Sequence, residues 1–566
     1  MRPGDDSWHS AVQEVMRIAD ADDIAWDVET DFVVVGFGGA GAAAAVQARE
    51  LGLEVVAVDR AEGGGATEAS GGVFYAGGGT RIQQELGEED TPENMFAYLA
   101  LETQGVVSDD TLMRFCRGSA GDVDWLMSHG VKFGGPVWKE KTSYPNVDYF
   151  LYHADNSLLP AYAEHAEPAA RGHRGVIRKG KSAVDLGGSI YQPLKRSALA
   201  SGVVLECKTE ARQLIVDADG AVVGIRALHL KAGSDPYLEH AKCLARANLV
   251  TRLYPFFLPG ARVVHRLADR YSARAAEIEN TARASRTYRA RRGVCLSSGG
   301  FIFNRPMVRH HCSRFASGMP LGTPTDDGSG IRLGQSAGGA VDRMERATAW
   351  RFINPPAAWS RGIIVDSRGA RFVNESTYGA TIGDAMVELA DGRAWLILDS
   401  RLVREAWRQI APGKVLPFQQ QLAALNMLLG KRKASTIEGL CRQFGFDETT
   451  LRSTLAEYGR AARGEIEDAF RKPVEDTCSL VPPFHVIDVS LGARLLPCPV
   501  LTVGGLVVNE ATGEVRRDSG AEIPGLYAAG RTAVGLPSHL YMSGLSIADC
   551  IFSGRRAARH AAGSPT

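Results

Sequence analysis

The 566-residue chain has no apolar run long enough to cross a bilayer, so no transmembrane helix is available to organise it. Its nine cysteines contain no CxxC and no paired spacing, which excludes a disulfide framework and a thiolate metal centre; no metal is expected, and the thiols suit a reducing compartment. Charge of one sign is also missing. With 64 Lys and Arg against 65 Asp and Glu the net charge is -1, and no basic domain of the kind that binds nucleic acid stands out. Residues 1–29 are acidic and lack an apolar signal core, so they read as a short amphipathic leader on a cytoplasmic protein.

Glycine, by contrast, is plentiful, and its first cluster has a pattern. Phe32 to Val35 is a β-branched apolar strand that runs into Gly36, Gly38 and Gly41 at GxGxxG spacing. Gly36 permits a sharp turn, Gly38 lets backbone come close to a pyrophosphate, and Gly41 lets the next helix pack on the sheet. Gly39 and Ala40 open that helix, whose unpaired N–H groups and partial positive charge favour phosphate. A second strand, Glu54 to Val58, ends in Asp59, where a carboxylate can accept hydrogen bonds from an adenosine ribose, with Arg60 beside it. An acid at this point suits FAD or NAD better than NADP. The following loop, Gly63 to Gly79, carries Ala66, Thr67, Ser70, Gly71 and Gly72 in a setting so rich in glycine that backbone is expected to approach a flat ligand.

The expected fold class is α/β: a Rossmann-like FAD-binding domain with an inserted α+β substrate domain. Residues 30–325 form the first part of the cofactor domain, 326–488 the substrate (catalytic) domain, and 489–566 return to the cofactor. Residues 91–130 have helical apolar spacing, whereas 141–174 read as a long irregular stretch dense in Tyr, Pro and His that borders a ligand or is held by aromatic contacts. A hairpin turns at Asp219-Gly220. After it comes an insertion, about 231–292, with the apolar patch Leu253-Tyr254-Pro255-Phe256-Phe257-Leu258 and, adjacent to it, the arginines Arg262, Arg266, Arg270, Arg274, Arg283, Arg286 and Arg289. A substrate lid, a membrane-docking surface and a homo-oligomer contact all fit it. The C-terminal return, IPGLYAAGR at Ile523 to Arg531 followed by the helix from Ser543, separates a flavin site from an NAD site. A flavin ring needs a helix N-terminus near its N1 and O2 edge, which Ser543 to Ile547 would supply.

The loop after the dinucleotide motif resembles the flavin-contacting segment of the fumarate reductase and succinate dehydrogenase flavoprotein superfamily. VVVGFGGAG, ATEASGG, RFVNESTYG, GGLVVN, PGLYAAGR and LYMSGLSIADCIFSGRRA together resemble the flavin-dependent 3-ketosteroid dehydrogenases over most of the chain. The resemblance implies FAD, held by the residues above together with Ala211 near the adenine, Ser298 and Gly299 in a second glycine turn, Gly530 and Arg531, and Leu545, Ser546 and Ile547. Members with covalent flavin carry a histidine in the loop that here runs Ala66 to Gly72; this chain has none, so noncovalent FAD is expected. The Δ1-dehydrogenases place Tyr-Pro-Gly-Ala-Gly before the last helix. Here the run is Tyr541-Met542-Ser543-Gly544, similar to the Tyr-x-Ser of the Δ4-(5α)-dehydrogenases.

That assignment implies a 3-ketosteroid substrate, desaturated at C4–C5, and an electron acceptor such as a quinone. Desaturation next to a ketone requires removing an α-proton, stabilising the enolate and passing a hydride to flavin N5. Tyr541 would hydrogen-bond the ketone oxygen, Ser543 would take the proton, and Tyr378 would relay it. Tyr541 as a core aromatic, Ser543 as the N-cap of the last helix and Tyr378 as hairpin packing are the plain alternatives. The rival functions are a Δ1-type dehydrogenase, a flavin-binding protein without catalysis, and a fumarate-reductase-like enzyme. The last would need an arginine acid with a His and Arg clamp where this chain has His539-Leu540-Tyr541-Met542-Ser543.

Overall fold

The computed structural model describes residues 11–146, 148–176, 186–254 and 261–564. Its largest sheet is built on the β-branched runs. The strands are β1 (Met16–Arg17), β2 (Val28–Val35), β3 (Val55–Asp59), β4 (Val204–Cys207), β5 (Thr209–Val216), β6 (Val222–His229), β7 (Ala284–Leu296), β8 (Glu514–Arg516) and β9 (Glu522–Ala528). They run in the order β1-β5-β6-β7-β2-β3-β4, and β7 shares its second edge between β6 and β9. Alternation sorts the strands between two cores: Val33, Val35, Val56 and Val58 face one, Phe32, Val34, Val55 and Ala57 the other.

Register decides where a ligand can sit. Val35 pairs with Val58 and with Leu296, and Leu296 pairs with Ala528, so three parallel partners end at one level. Gly36, Asp59, Ser297 and Gly530 therefore gather at the carboxyl ends of the strands, the usual ligand position in an open α/β sheet. Helix α1 (Gly39–Glu50) leaves this edge and packs against the last helix, α5 (Leu545–Ala561).

Within residues 11–29, β1 pairs in parallel with β5 through Met16 and Ile215, and Val12 is buried. The described part of the insertion is two helices, α2 (Asp235–Leu253) packed on α3 (Ala261–Ala282), followed by β7 from Ala284, opposite His229. Residues 255–258 of its apolar patch lie outside the described residues. Among its arginines, Arg274 pairs with Glu239 (2.9 Å), Arg283 with Glu210 (2.5 Å), Arg286 with Glu206 (3.0 Å) and Arg289 with Asp22 (3.0 Å).

The middle of the chain adds a four-stranded sheet of Ile363–Val365, Trp395–Asp399, Phe484–Asp488 and Arg432–Ala434, with its own core around Trp395, Phe446 and Leu451. A three-stranded sheet of Met319–Pro320, Pro499–Thr502 and Ala347–Ala349 links it to the cofactor sheet. The irregular stretch 141–174 contributes Leu151–Tyr152 and Gly172–Arg174 to another small sheet with Val73–Tyr75.

Candidate active site

One elongated cavity of about 1070 Å³ joins the strand ends to the middle sheets. Its first half is a polar cradle. Gly36 has φ +93°, and a Cβ there would stand 2.7 Å from Ser298 Cα, so only glycine makes this turn. A Cβ at Gly38 would meet only Gly64 O, at 3.6 Å, which leaves that backbone open to the cavity. Asp59 is occupied on both oxygens: the Phe37 N–H donates to Oδ2 and the Ala61 N–H to Oδ1, each at 2.7 Å. Its carboxylate thus fixes the turn as well as lining the cavity. Thr67 Oγ1 accepts from the Gly39 N–H (3.1 Å), and the Ser70 hydroxyl closes its loop on Thr67 O (2.7 Å). Arg60 is held by Asp327 (2.9 Å), Glu210 and Glu279.

Ala40, Ala66, Gly71, Ala211, Gly299, Gly530, Ser546 and Ile547 line the same cavity. Gly41, Gly72 and Leu545 do not. A Cβ on Gly41 would lie 2.0 Å from Gly36 O and one on Gly72 2.1 Å from Leu186 O, while Leu545 is wholly buried and its N–H donates to Met542 O (3.1 Å). All three support the cradle from behind. The residues present fit FAD. Ser298 Oγ and Arg531 Nη1 are buried polar atoms with no hydrogen-bond partner in the protein, and both residues border the cavity.

The second half is apolar, lined by Trp350, Phe352, Trp359, Leu422, Leu425 and Leu496. Charged lining residues are confined to the cradle: Asp59, Arg60, Glu210, Asp326 and Arg531, the last paired with Asp326 at 2.8 Å. Among the described residues no Arg, Lys or His lines the apolar half. His539 is not a lining residue, although its carbonyl accepts from Arg346 (3.2 Å).

Tyr541, Ser543 and Tyr378 stand in this cavity, all buried. Tyr541 stacks at a tilt on Trp350 (centroids 4.6 Å apart), and Tyr378 meets Phe352 edge-on at 6.1 Å. Burial pushes the Tyr541 phenol well above its ordinary value, while Arg531 and the backbone N–H groups of Gly544 and Ser546 work the other way. Those amides belong to the start of α5, whose N-cap is Gly544 (φ 88°). Ser543 is therefore not the cap; the left-handed turn at Gly544, where a Cβ would come 2.7 Å from Tyr75 N, frees its hydroxyl.

That hydroxyl has a partner the sequence did not reveal. Tyr152 OH donates to Ser543 Oγ at 2.8 Å, and the Ser543 N–H donates to Ala154 O (3.2 Å). Burial raises the Tyr152 phenol, with Ser543 offsetting part of the effect. Burial likewise raises Tyr378, to which Tyr152 and Tyr541 add and which Ser543 moderates. Two neutral phenols, Tyr152 and Tyr378, thus meet at one serine, with the Tyr541 phenol acting on both. Tyr378 is held from its backbone, since its N–H donates to Asn156 Oδ1 (2.5 Å). Asn156 in turn donates to Glu102 and Thr381, each at 2.9 Å.

The FAD binding domain family profile matches residues 31–544. The chain is 37% identical, over 92% of its length and 96% of the relative's, to a 3-oxo-5-alpha-steroid 4-dehydrogenase of Comamonas testosteroni. In structure it is similar to the 3-ketosteroid Δ4-(5α)-dehydrogenase of Rhodococcus jostii RHA1, solved with 4-androstene-3,17-dione. The TM-score is 0.79 at 28% identity, covering 97% of this chain and 100% of that one. The 3-ketosteroid Δ1-dehydrogenase of Sterolibacterium denitrificans shares the fold with TM-score 0.65 at 20% identity, covering 94% and 99%.

Proposed function

The chain belongs to the FAD binding domain family, alongside the 3-oxo-5-alpha-steroid 4-dehydrogenase, and on that premise we propose that it is an FAD-dependent oxidoreductase that introduces the C4–C5 double bond of a 3-ketosteroid. The observation that carries this reading is the apolar half of the cavity, free of cations among the described residues, with Tyr541, Ser543 and Tyr378 standing in it. A small dicarboxylate would need cationic partners there, so the fumarate-reductase reading loses its basis. A flat, apolar ketone needs one hydrogen-bond donor, and Tyr541 is that donor.

FAD, when bound in the cradle, supplies the acceptor for the hydride that leaves C5. The protein's own residues handle the proton. Tyr541, held neutral by burial, donates to the C3 oxygen where enolate charge develops, next to the amide dipoles at the start of α5. Ser543 accepts the C4 proton and must release its own. Because Tyr152 already donates to Ser543 Oγ, the serine hydrogen points elsewhere; Tyr378 receives it and gives up its own phenolic proton to the cavity, which opens to solvent beside Phe418, Leu428 and Leu429. Tyr541 and Ser543 are the catalytic residues in this scheme, Tyr378 the relay and Tyr152 a positioning residue.

The Ala66 to Gly72 loop contains no histidine, and the cradle is read as holding FAD noncovalently. Both points are tested together. Tyr541→Phe and Ser543→Ala are expected to lose about 10²–10⁴-fold in turnover, while each keeps FAD that acid precipitation releases into the supernatant. Activity within a few-fold of the parent would remove these residues from the mechanism, and a yellow pellet would mean a covalent link.

A further inference from the structure

At the far end of the cavity the lining reaches the surface. Phe418, Leu428 and Leu429 border the cavity, yet they are 48%, 66% and 69% exposed. They sit on helix α4 (Pro417–Leu425) and on the π-helical turn Asn426–Gly430 that extends it. Buried Asn426 ties this turn to the body of the protein, donating to Leu422 O (2.9 Å) and Leu495 O (2.8 Å), so the two leucines project from an anchored base. Three large apolar side chains kept in water around an opening mark an interaction surface.

The flanking charge has one sign. Residues 400–435 hold seven Lys or Arg against the single acid Glu405, in a chain whose net charge is -1. Lys431, Arg432 and Lys433 follow directly on Leu428-Leu429-Gly430, and Lys414 precedes Phe418. Among the described residues none of these four is ion-paired, in contrast to Arg274, Arg283, Arg286 and Arg289 near the hairpin, which are matched by acids of this chain. No described residue of 231–292 lines the cavity.

From the apolar rim and the unmatched cations beside it, we propose that the cavity mouth, and not the helical hairpin, docks on an anionic lipid bilayer, with Phe418, Leu428 and Leu429 at the acyl boundary and Lys414, Lys431, Arg432 and Lys433 among the headgroups. A second copy of the chain is the less suitable occupant, because a two-fold contact would set this cationic patch against itself. Resting on the steroid reading above, the arrangement lets an apolar substrate pass from membrane to cavity without crossing water.

The test is co-sedimentation of the holoenzyme with phosphatidylcholine vesicles, with or without about one-third phosphatidylglycerol. The parent is expected to bind the anionic vesicles, weakly in high salt, and phosphatidylcholine alone far less. Lys431→Gln/Arg432→Gln/Lys433→Gln is expected to lose on the order of 100-fold in affinity while keeping its turnover of a short, water-soluble ketosteroid. Leu428→Ser/Leu429→Ser should lose binding to the same vesicles. No binding by the parent, equal binding of the triple variant, or loss of a dimer in either variant overturns the proposal. Vesicle binding is read without turnover, so a protein that binds lipid but leaves steroids unchanged would refute the steroid reading alone.

Discussion

Tyr152 is the residue on which the mechanism gains most from the structure. It lies 391 positions from Ser543 in the chain, and the two meet where the segment that carries the short Leu151–Tyr152 strand is hydrogen-bonded to Ser543, just before α5. Tyr541, Ser543 and Tyr378 were legible because they fall in motifs that resemble a family; Tyr152 belongs to no motif and sits in a stretch rich in other tyrosines. Tyr152→Phe keeps the ring and deletes one hydrogen bond to the serine. We expect kcat to fall by about 10-fold to 100-fold, within the range of a single hydrogen bond to a group that becomes charged, with KM and FAD content little changed. A purely structural role would instead raise KM or release FAD while sparing kcat. Equal kcat in variant and parent would show that Ser543 needs no donor behind it.

At the scale of elements, the positions of Tyr378 and of the helix Pro92–Thr103 are linked through Glu102. Glu102 accepts from Tyr98 OH (2.6 Å) and from Asn156, whose side-chain oxygen holds the Tyr378 N–H. Burial pushes its carboxyl from an ordinary value near 4.5 up to about 7, against the pull of those two hydrogen bonds. A folded-state value above the unfolded one contributes stability that is complete below about 4.5 and is lost as pH rises through about 7. Glu102→Gln does not titrate, so its Tm relative to the parent should climb between pH 5 and pH 8 and level off above. A difference in Tm that stays flat across that window would mean Glu102 is already ionised at pH 5. The βαβ unit, the Asp219-Gly220 hairpin and the last helix were legible from local pattern, because turn glycines and apolar alternation are local signals. The β1 pairing with β5 and the strands of two and three residues in 141–174 were not, because such short edges are created by their partners and leave no period in the sequence.

The whole molecule is organised around a cavity in which the polar cradle built by the ends of the chain continues into an apolar chamber built by its middle. The glycine-rich half could be read from the sequence; the chamber could not, since its walls come from residues as far apart as Trp350, Leu422 and Leu496. The most direct measurement of C4–C5 desaturation is anaerobic mixing of the holoenzyme with a saturated 3-ketosteroid, followed by flavin absorbance and by the position of the double bond in the product. Bleaching of the oxidised flavin band and a product unsaturated at C4–C5 are expected. A flavin band that persists with the steroid, in a protein whose reduced form is reoxidised by fumarate, would contradict the steroid reading.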